Sequence, residues 1–315
     1  VTMKEYCFGI DVGGTTVKCG LFHVDGTLEE KWEIPTRTEN RGKEILPDIA
    51  ASIRAKMQER GIVAEEVAGV GLGVPGPVND KGEIPCAVNL NWGYKHISKE
   101  MEDLTGLPAK AANDANAAAL GEAWKGGAEG ASWVVMATLG TGVGGGIIVD
   151  GKIVSGAHGA GGEIGHMNMA PDEEEACNCG NQGCLEQMAS ATGIVRLARR
   201  ELERDAQDSI LRGVDVTAKA VFDAYKQGDG LAGRVVDQFA GYLGRGLAMC
   251  ACVMDPEVIL IGGGVTKAGE PLLEAVQREY QKAAFAPCKD TPLRLAKLGN
   301  DAGIYGAAKL ALYDI

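Results

Sequence analysis

A short apolar strand that breaks at a glycine turn and resumes as a second strand occurs twice in this chain, and this restricts the fold more than any other feature. Tyr6 to Asp11 leads into Gly13-Gly14-Thr15-Thr16, and Val17 to Val24 continues as a strand. Trp133 to Leu139 meets Gly140-Thr141-Gly142-Val143-Gly144-Gly145-Gly146, and Ile147 to Val149 continues. The two copies lie much further apart than the roughly 20–50 residues of a solenoid repeat. They predict two α/β domains of related plan, and 315 residues suffice for both. No Pro- or Ser-rich linker separates them, so the two are expected to touch closely.

The remaining pattern agrees with alternating strands and helices. Asp25-Gly26 offers a hairpin turn into a third strand ending near Ile34. Ile45, Ile49, Ile53 and Met57 recur every four residues and predict a helix over 44–60, stopped by Gly61. Val67 to Leu72 reads as a strand running into Gly73-Val74-Pro75-Gly76-Pro77, and Ala109 to Ala112 as one ending at Asn113-Asp114 before an Ala-rich helix to Lys125. Asp150-Gly151 supplies another turn. The region 190–256 is mainly helical, with 231–254 its longest element. Val258 to Ile261 opens into Gly262-Gly263-Gly264 ahead of a helix from about Glu270. A strand over 293–297 and a helix over 303–313 complete the reading.

Glycine is abundant, 46 of 315, and clusters at the ends of apolar segments, as tight turns or close backbone approach to a ligand require. The net charge of −12 disfavours nucleic acid and anionic membranes as partners. No apolar run approaches the ~20 residues of a membrane span, and no charged-then-apolar signal segment opens the chain. A cytoplasmic protein is the expectation.

Several residues carry chemistry. The turn after Asp11 exposes the backbone N–H groups of Gly13 and Gly14 and the hydroxyls of Thr15 and Thr16, which suit a phosphate, although a plain glycine hairpin fits them equally. Asp11 could hold a hydrated Mg²⁺, because hard cations prefer oxygen ligands. The second loop, with Thr141, Gly142, Gly144 and Gly145, lacks the Gly-Lys-Ser/Thr ending of a P-loop and reads as a second phosphate hairpin. Gly262 and Gly263 could lie flat against adenine or ribose, or simply form a turn. His166, Cys177, Cys179 and Cys184 make up the Cys₃His composition of a structural zinc site. With nine cysteines and no sign of secretion, a metal site is preferred to disulfides. Cys7, Cys19, Cys86, Cys250, Cys252 and Cys288 read as core residues. Asp114 lies where a strand gives way to a helix and could take a proton from an attacking hydroxyl. Taken alone, Asn113-Asp114 is better read as a helix N-cap. Glu163 and Glu186 flank the cysteine loop and could together face the hydroxyls of a carbohydrate.

Taken together, Asp11-Val-Gly-Gly-Thr-Thr, Gly73-Val-Pro-Gly-Pro, Asn113-Asp-Ala-Asn-Ala-Ala-Ala-Leu-Gly-Glu, Leu139-Gly-Thr-Gly-Val-Gly-Gly-Gly, Gly162-Glu-Ile-Gly-His and Cys177-x-Cys-Gly-x-x-Gly-Cys-Leu-Glu resemble the ROK family of sugar kinases and sugar-responsive repressors, in order and over nearly the whole chain. Within that family the chain looks most like bacterial ATP-dependent glucokinases. The resemblance implies an actin/hexokinase-like fold of two RNase H-like domains, with ATP and sugar in the cleft between them. The smaller would span 1–112 plus about 300–315, and the larger 113–299 with a zinc loop over 166–184. It implies Asp114 as the base for the sugar 6-hydroxyl, sugar contacts from Asn113, Glu163, His166 and Glu186 with Asn89 a weaker candidate, and nucleotide loops over 9–16 and 142–149. It implies His166 as a zinc ligand beside the three cysteines, Mg²⁺ with the ATP, and a homodimer or homotetramer. Lys18 stands two positions beyond the place many relatives give a lysine, so it carries no assigned role.

Family repressors resemble this chain but carry an N-terminal helix-turn-helix, for which a first strand at residue 6 leaves no room, so an enzyme is expected; a sugar sensor is the non-enzyme alternative. Family fructokinases tend to place a second His where this chain has Cys179. N-acetylmannosamine kinases share a similar cysteine cluster, so they and kinases of other hexoses are the alternative to glucose. Polyphosphate-dependent relatives usually lack the zinc loop, which favours ATP as donor.

Overall fold

The computed structural model describes residues 4–313, and the chain divides into two compact units. One comprises the chain up to Ser132, Gly146–Gly162 and the chain from Lys297 onward; the other comprises Trp133–Gly145 and Glu163–Ala296.

In the first unit, β1 (Tyr6–Val12), β2 (Thr16–His23) and β3 (Leu28–Pro35) form an antiparallel meander. A short turn, α1 (Glu39–Gly42), leads into α2 (Ile45–Arg60), which buries Ile45, Leu46, Ile49, Ala50 and Ile53 as the four-residue spacing requires. Gly61 ends α2 in the left-handed conformation, its N–H bonding the carbonyls of Met57 and Gln58. The strand β4 (Val67–Val74) follows, then a two-stranded ribbon of β5 (Glu83–Ile84) and β6 (Lys95–His96), α3 (Ile97–Thr105), β7 (Ala109–Asn113) and α4 (Asp114–Lys125). The sheet order is β3-β2-β1-β4-β7. Both β1–β4 and β4–β7 are parallel, with Asp11 opposite Gly73 and Gly73 opposite Ala112. The carboxyl ends of three parallel strands therefore lie side by side, where open α/β sheets bind ligands.

The second sheet follows the same plan. It is built from β8 (Val134–Leu139), β9 (Val143–Val149), β10 (Lys152–Ile153), β11 (Val258–Gly262) and β12 (Leu293–Leu295), in the order β10-β9-β8-β11-β12. Asp150 and Gly151 both have positive φ, the geometry of an Asp-Gly hairpin turn. The helices of the second unit are α5 (Glu186–Ala189), α6 (Ala191–Arg204), α7 (Ala218–Lys226), α8 (Gly230–Met254) and α9 (Glu270–Ala283). Their core joins Val135, Ala137 and Ile259 of the sheet to Leu197, Phe222, Phe239 and Val276.

The last helix, α10 (Ala302–Ala311), returns to the first unit and is buried on nearly every side. Glycines make its position possible. A Cβ at Gly9 would overlap the carbonyl of Ile304, one at Gly71 that of Ala307, and one at Gly306 that of Ala117 in α4. The helix thus lies in backbone contact with both the sheet and α4.

Three sequence expectations are corrected. The boundary expected after residue 112 lies after Ser132, because α4 packs on α10 and on β4, and 146–162 belongs with the first unit as well. Cys86 and Cys252 are exposed; Cys252 stands two residues, about 200° of helix, beyond the inward-facing Cys250. The last strand stops at Leu295. The β5–β6 ribbon and α3 were not read from the sequence, although Ile97 and Met101, four residues apart and buried, carry a helical signal.

The glycine packing makes a contrast testable. Gly306→Ala should destabilise the protein by about 1–3 kcal/mol or more, since backbone rather than a flexible side chain must give way. Gly233→Ala in α8, where a Cβ meets nothing within 4 Å, should stabilise it by about 0.5–1 kcal/mol through helix propensity. Denaturant midpoints of the two variants should move in opposite directions, and the same direction for both would refute the close-packing account.

Candidate active site and metal centre

At the strand ends of the first unit, Asn113 is the N-cap of α4, and its Oδ1 accepts from Ala115 N–H at 2.9 Å and Asn116 N–H at 3.1 Å. Its Nδ2 donates to the Gly76 carbonyl at 3.1 Å, tying the Gly73–Pro77 loop to the helix start. Because Asn113 caps the helix, Asp114 is its first helical residue; its Oδ1 accepts from Ala115 N–H at 2.8 Å. A carboxylate there also sits in the favourable field of the helix N-terminus. The β1–β2 turn is closed by Gly13 N–H donating to the Thr16 carbonyl at 3.0 Å, while Thr36 Oγ1 donates to the Gly13 carbonyl at 2.7 Å. Gly14 and Thr15 are exposed at its tip and Thr16 is half-buried at its base. An ideal Cβ on Gly14 would lie 3.7 Å from the Asn89 carbonyl, so the exposed Asn89 borders this turn. Asp11 is half-buried against Gly303 of α10; burial raises its carboxyl above the usual range and the facing Lys18 charge opposes the rise. Lys18 Nζ donates to the Asn300 carbonyl at 3.1 Å.

In the second unit the loop after β8 is held by the start of α6. Gly140 N–H donates to the Gly142 carbonyl at 3.0 Å, Ala191 N–H to the Gly140 carbonyl at 2.8 Å, and Thr192 Oγ1 to the Thr141 carbonyl at 2.7 Å. Thr141 is exposed, Gly142 and Gly144 half-buried, and Gly145 buried. Gly262 and Gly263 close the end of β11 on β8, with Gly263 at φ +86 and no room for a Cβ beside the Leu139 backbone. Gly264, with nothing within 4 Å of its Cβ position, is the open member of the triplet. It lines an apolar cavity of about 200 Å³ with Ala191, Phe222 and Val265.

The cysteine loop brings its residues together. One ligand atom from each of His166, Cys177, Cys179 and Cys184 lies within 4.8 Å of the others. Cys179 Sγ and Cys184 Sγ are 3.6 Å apart, and Cys177 Sγ is 4.0 Å from His166 Nδ1. Burial raises the thiols of Cys177 and Cys184, whereas the backbone N–H of Asn181 lowers that of Cys179. Glu163 Oε2 lies 3.9 Å from His166 Nε2, and Glu186 Oε1 lies 3.8 Å from His166 Nδ1 and 2.9 Å from Cys177 Sγ, whose thiol donates to it. A Cβ on Gly142 would overlap the other oxygen of Glu186. One carboxylate thus borders both the cysteine cluster and the glycine loop.

Sequence reasoning missed the residues that fix these loops. Ser190 caps α6, accepting from Gly193 N–H at 2.9 Å, and the Ser-x-x-Gly pattern before an amphipathic run was an available signal. Glu173 receives two bonds from Arg200, at 2.9 and 3.0 Å, and clamps the far side of the cysteine loop to α6. Its partner is 27 residues away, and nothing local announces it.

Two sheets of one plan, each a meander extended by parallel strands, with glycine turns at the strand ends and a Cys₃His loop, define the actin/hexokinase-like fold of sugar kinases. The sequence profile of the ROK family matches residues 7–313, and the chain belongs to that family. It is similar to a glucokinase of Halalkalibacterium halodurans, 42% identical over 96% of this chain and 93% of that one. Among solved structures it is similar to a ROK hexokinase from Thermus thermophilus, 36% identical with TM-score 0.78 over 98% of both chains. It is also similar to a ROK family glucokinase from Streptomyces griseus in complex with glucose and AMPPNP, 32% identical with TM-score 0.72 over 97% of this chain and 98% of that one.

The Glu173 clamp has a pH signature. The Arg200 bonds hold its carboxyl down to about 2, below an unfolded value near 4.3. A depressed folded value stabilises the protein above the unfolded pKa, and that contribution is lost as pH falls toward 2. Glu173→Gln should therefore lower the melting temperature at pH 7, with the gap to wild type closing between about pH 4.5 and pH 2. A gap independent of pH would remove the charge from the account.

Proposed function

We propose that the protein phosphorylates glucose at its 6-hydroxyl with ATP as donor, giving glucose 6-phosphate and ADP. The observation that carries this reading is Glu186. It lies within reach of His166 and Cys177 on one side and against Gly142 on the other, so a sugar-side cluster and a phosphate-side loop share one carboxylate. The similarity to the Streptomyces griseus glucokinase with glucose and AMPPNP supports the same pair of substrates.

In this reading Asn113, Glu163, His166 and Glu186, with Asn89 at the margin, accept from and donate to the sugar hydroxyls. The carboxylate of Asp114 takes the proton of the 6-hydroxyl as that oxygen attacks the γ-phosphorus and the bond to the β-phosphate oxygen breaks. The N–H groups and hydroxyls of 13–16 and 141–145 hold the phosphates, and the cavity beside Gly264 takes the adenine. Asp11 would hold, through water, the Mg²⁺ that accompanies ATP, and the ion would supply charge neutralisation of the phosphates. Phosphoryl transfer has a loose transition state, so alignment and electrostatics carry the rate.

The cysteine cluster fits zinc. A tetrahedral ion with ligand bonds of about 2.3 Å sets sulfur atoms about 3.8 Å apart, against 3.6 Å between Cys179 and Cys184. His166, Cys177, Cys179 and Cys184 would hold the ion. Zinc supplies cross-linking there, fixing the loop that presents His166 and Glu186. A cytoplasmic homodimer or homotetramer belongs to the same reading. No helix among the described residues is long and apolar enough to cross a membrane.

Coupled ADP release over glucose, N-acetylmannosamine, N-acetylglucosamine, mannose, allose and fructose tests the proposal. A strong preference for glucose is expected, and exclusive turnover of an N-acetyl sugar would overturn the substrate. Asp114→Asn should lower kcat by about 10²–10⁴-fold while calorimetry finds glucose binding retained; near-normal turnover would exclude Asp114 as base. Metal analysis should find about one zinc per chain, and Cys179→Ser should lower both that content and glucose affinity.

A further inference from the structure

The chain passes between its two units at four places: Ser132–Trp133, Gly145–Gly146, Gly162–Glu163 and Ala296–Lys297. On the first-unit side, every one of them is tied to α4. Gly146 lies flat on the helix: its Cβ position is 3.0 Å from the Ala115 carbonyl and 3.2 Å from Asn116 Cα. Gly161, two residues before Glu163, accepts from Asn116 Nδ2 at 3.2 Å. The other two crossings share Glu122. Its carboxylate accepts from Lys297 N–H at 3.0 Å and Leu298 N–H at 2.7 Å, and from Gly127 N–H at 2.7 Å in the turn leading to Ser132.

Both side chains are costly where they are. Glu122 is fully buried, a position a carboxylate occupies only when its lone pairs are met. Asn116 is 3% exposed, and its Oδ1 accepts from no group among the described residues. An apolar side chain of the same volume would fill that space without an unpaired oxygen. The donor to Gly161 is therefore what Asn116 contributes.

We infer that α4 is the platform on which all four connections between the units are fixed, and that Asn116 and Glu122 are positioning residues for phosphoryl transfer. The inference rests on the kinase reading. Asp114, the proposed base, is the first residue of this same helix, so the anchors and the base move as one rigid element. Gly161, held by Asn116, sets where the chain starts toward Glu163, and a displacement of about 1 Å at a reacting centre can cost about 100-fold in rate.

The test combines amide hydrogen exchange with steady-state kinetics on Asn116→Ala, Asn116→Asp and Glu122→Gln, with Gly244→Ala, whose Cβ would meet the backbone of Glu279 and Tyr280 between α8 and α9, as the purely structural comparison. Asn116→Asp keeps the shape but faces the Gly161 carbonyl with an acceptor, so it should behave as Asn116→Ala does. Expected in both Asn116 variants are exchange at 156–163 about tenfold faster and kcat per folded molecule down by about 10–100-fold. The KM for ATP should stay within about twofold. Glu122→Gln should speed exchange at 126–132 and 297–299 and lower kcat likewise. Gly244→Ala should lose stability with kcat per folded molecule unchanged. Variants of Asn116 and Glu122 that resemble Gly244→Ala would overturn the inference, as would unchanged exchange at the crossings. A wild-type protein that phosphorylates no sugar would overturn the kinase reading and the transfer role with it, and exchange alone would then decide the anchoring.

Discussion

The first unit depends on how closely α10 approaches its neighbours. Backbone meets backbone where Gly9 and Gly71 of the sheet face Ile304 and Ala307, and where Gly306 meets the Ala117 carbonyl. Side chains at these points would hold the helices and sheet further apart. With glycines, α4 and α10 pack as a tight pair over the parallel strands. The start of α4 is thereby fixed at the carboxyl ends of β1, β4 and β7, where Asn113 and Asp114 stand. The abundance of glycine in this chain thus serves packing as well as turns.

The second unit solves a different problem, that of holding irregular chain in place. From Glu163 to Glu186 the chain has little regular structure, yet it carries the two carboxylates beside His166, Glu163 and Glu186, and four metal-type ligands. It is pinned at the rear by the Glu173–Arg200 pair and at the front by Glu186, which accepts from the Cys177 thiol. Ionised thiols beside Glu163 and Glu186 would repel one another, and a dication at their centre turns that repulsion into attraction. The metal-type cluster and the glycine loop are arranged as a frame for alignment, as a reaction governed by alignment demands.

Much of this was legible in the sequence because strand and turn signals are local. The paired strand–glycine–strand segments predicted two related sheets, the 44–60 periodicity predicted α2, and the spacing from His166 to Cys184 gathered four ligands that do meet in space. What escaped was set by distant partners. The domain boundary after residue 112 came from the resemblance, whereas the packing of α4 on α10 places it after Ser132. Asn116 and Glu122 sit inside an Ala-rich helix, and the groups they bind are 45 and 175 residues away. The β5–β6 ribbon is too short for any pattern to reveal. Gly262 and Gly263 read as ligand contacts or a turn, and the Leu139 backbone that crowds Gly263 comes from a strand distant in sequence.

The return of α10 has a consequence for how the protein comes into being. A chain emerging from a ribosome presents β1 long before α10, and the sheet that β1 belongs to keeps an apolar face open until residues 302–311 arrive to cover it. The bulk of the second unit, the continuous stretch 163–296, has by then been released. The unit begun first is therefore finished last, reversing the usual N-to-C order in which domains mature during synthesis. Its exposed strands are the surface that a chaperone would have to shield in the meantime.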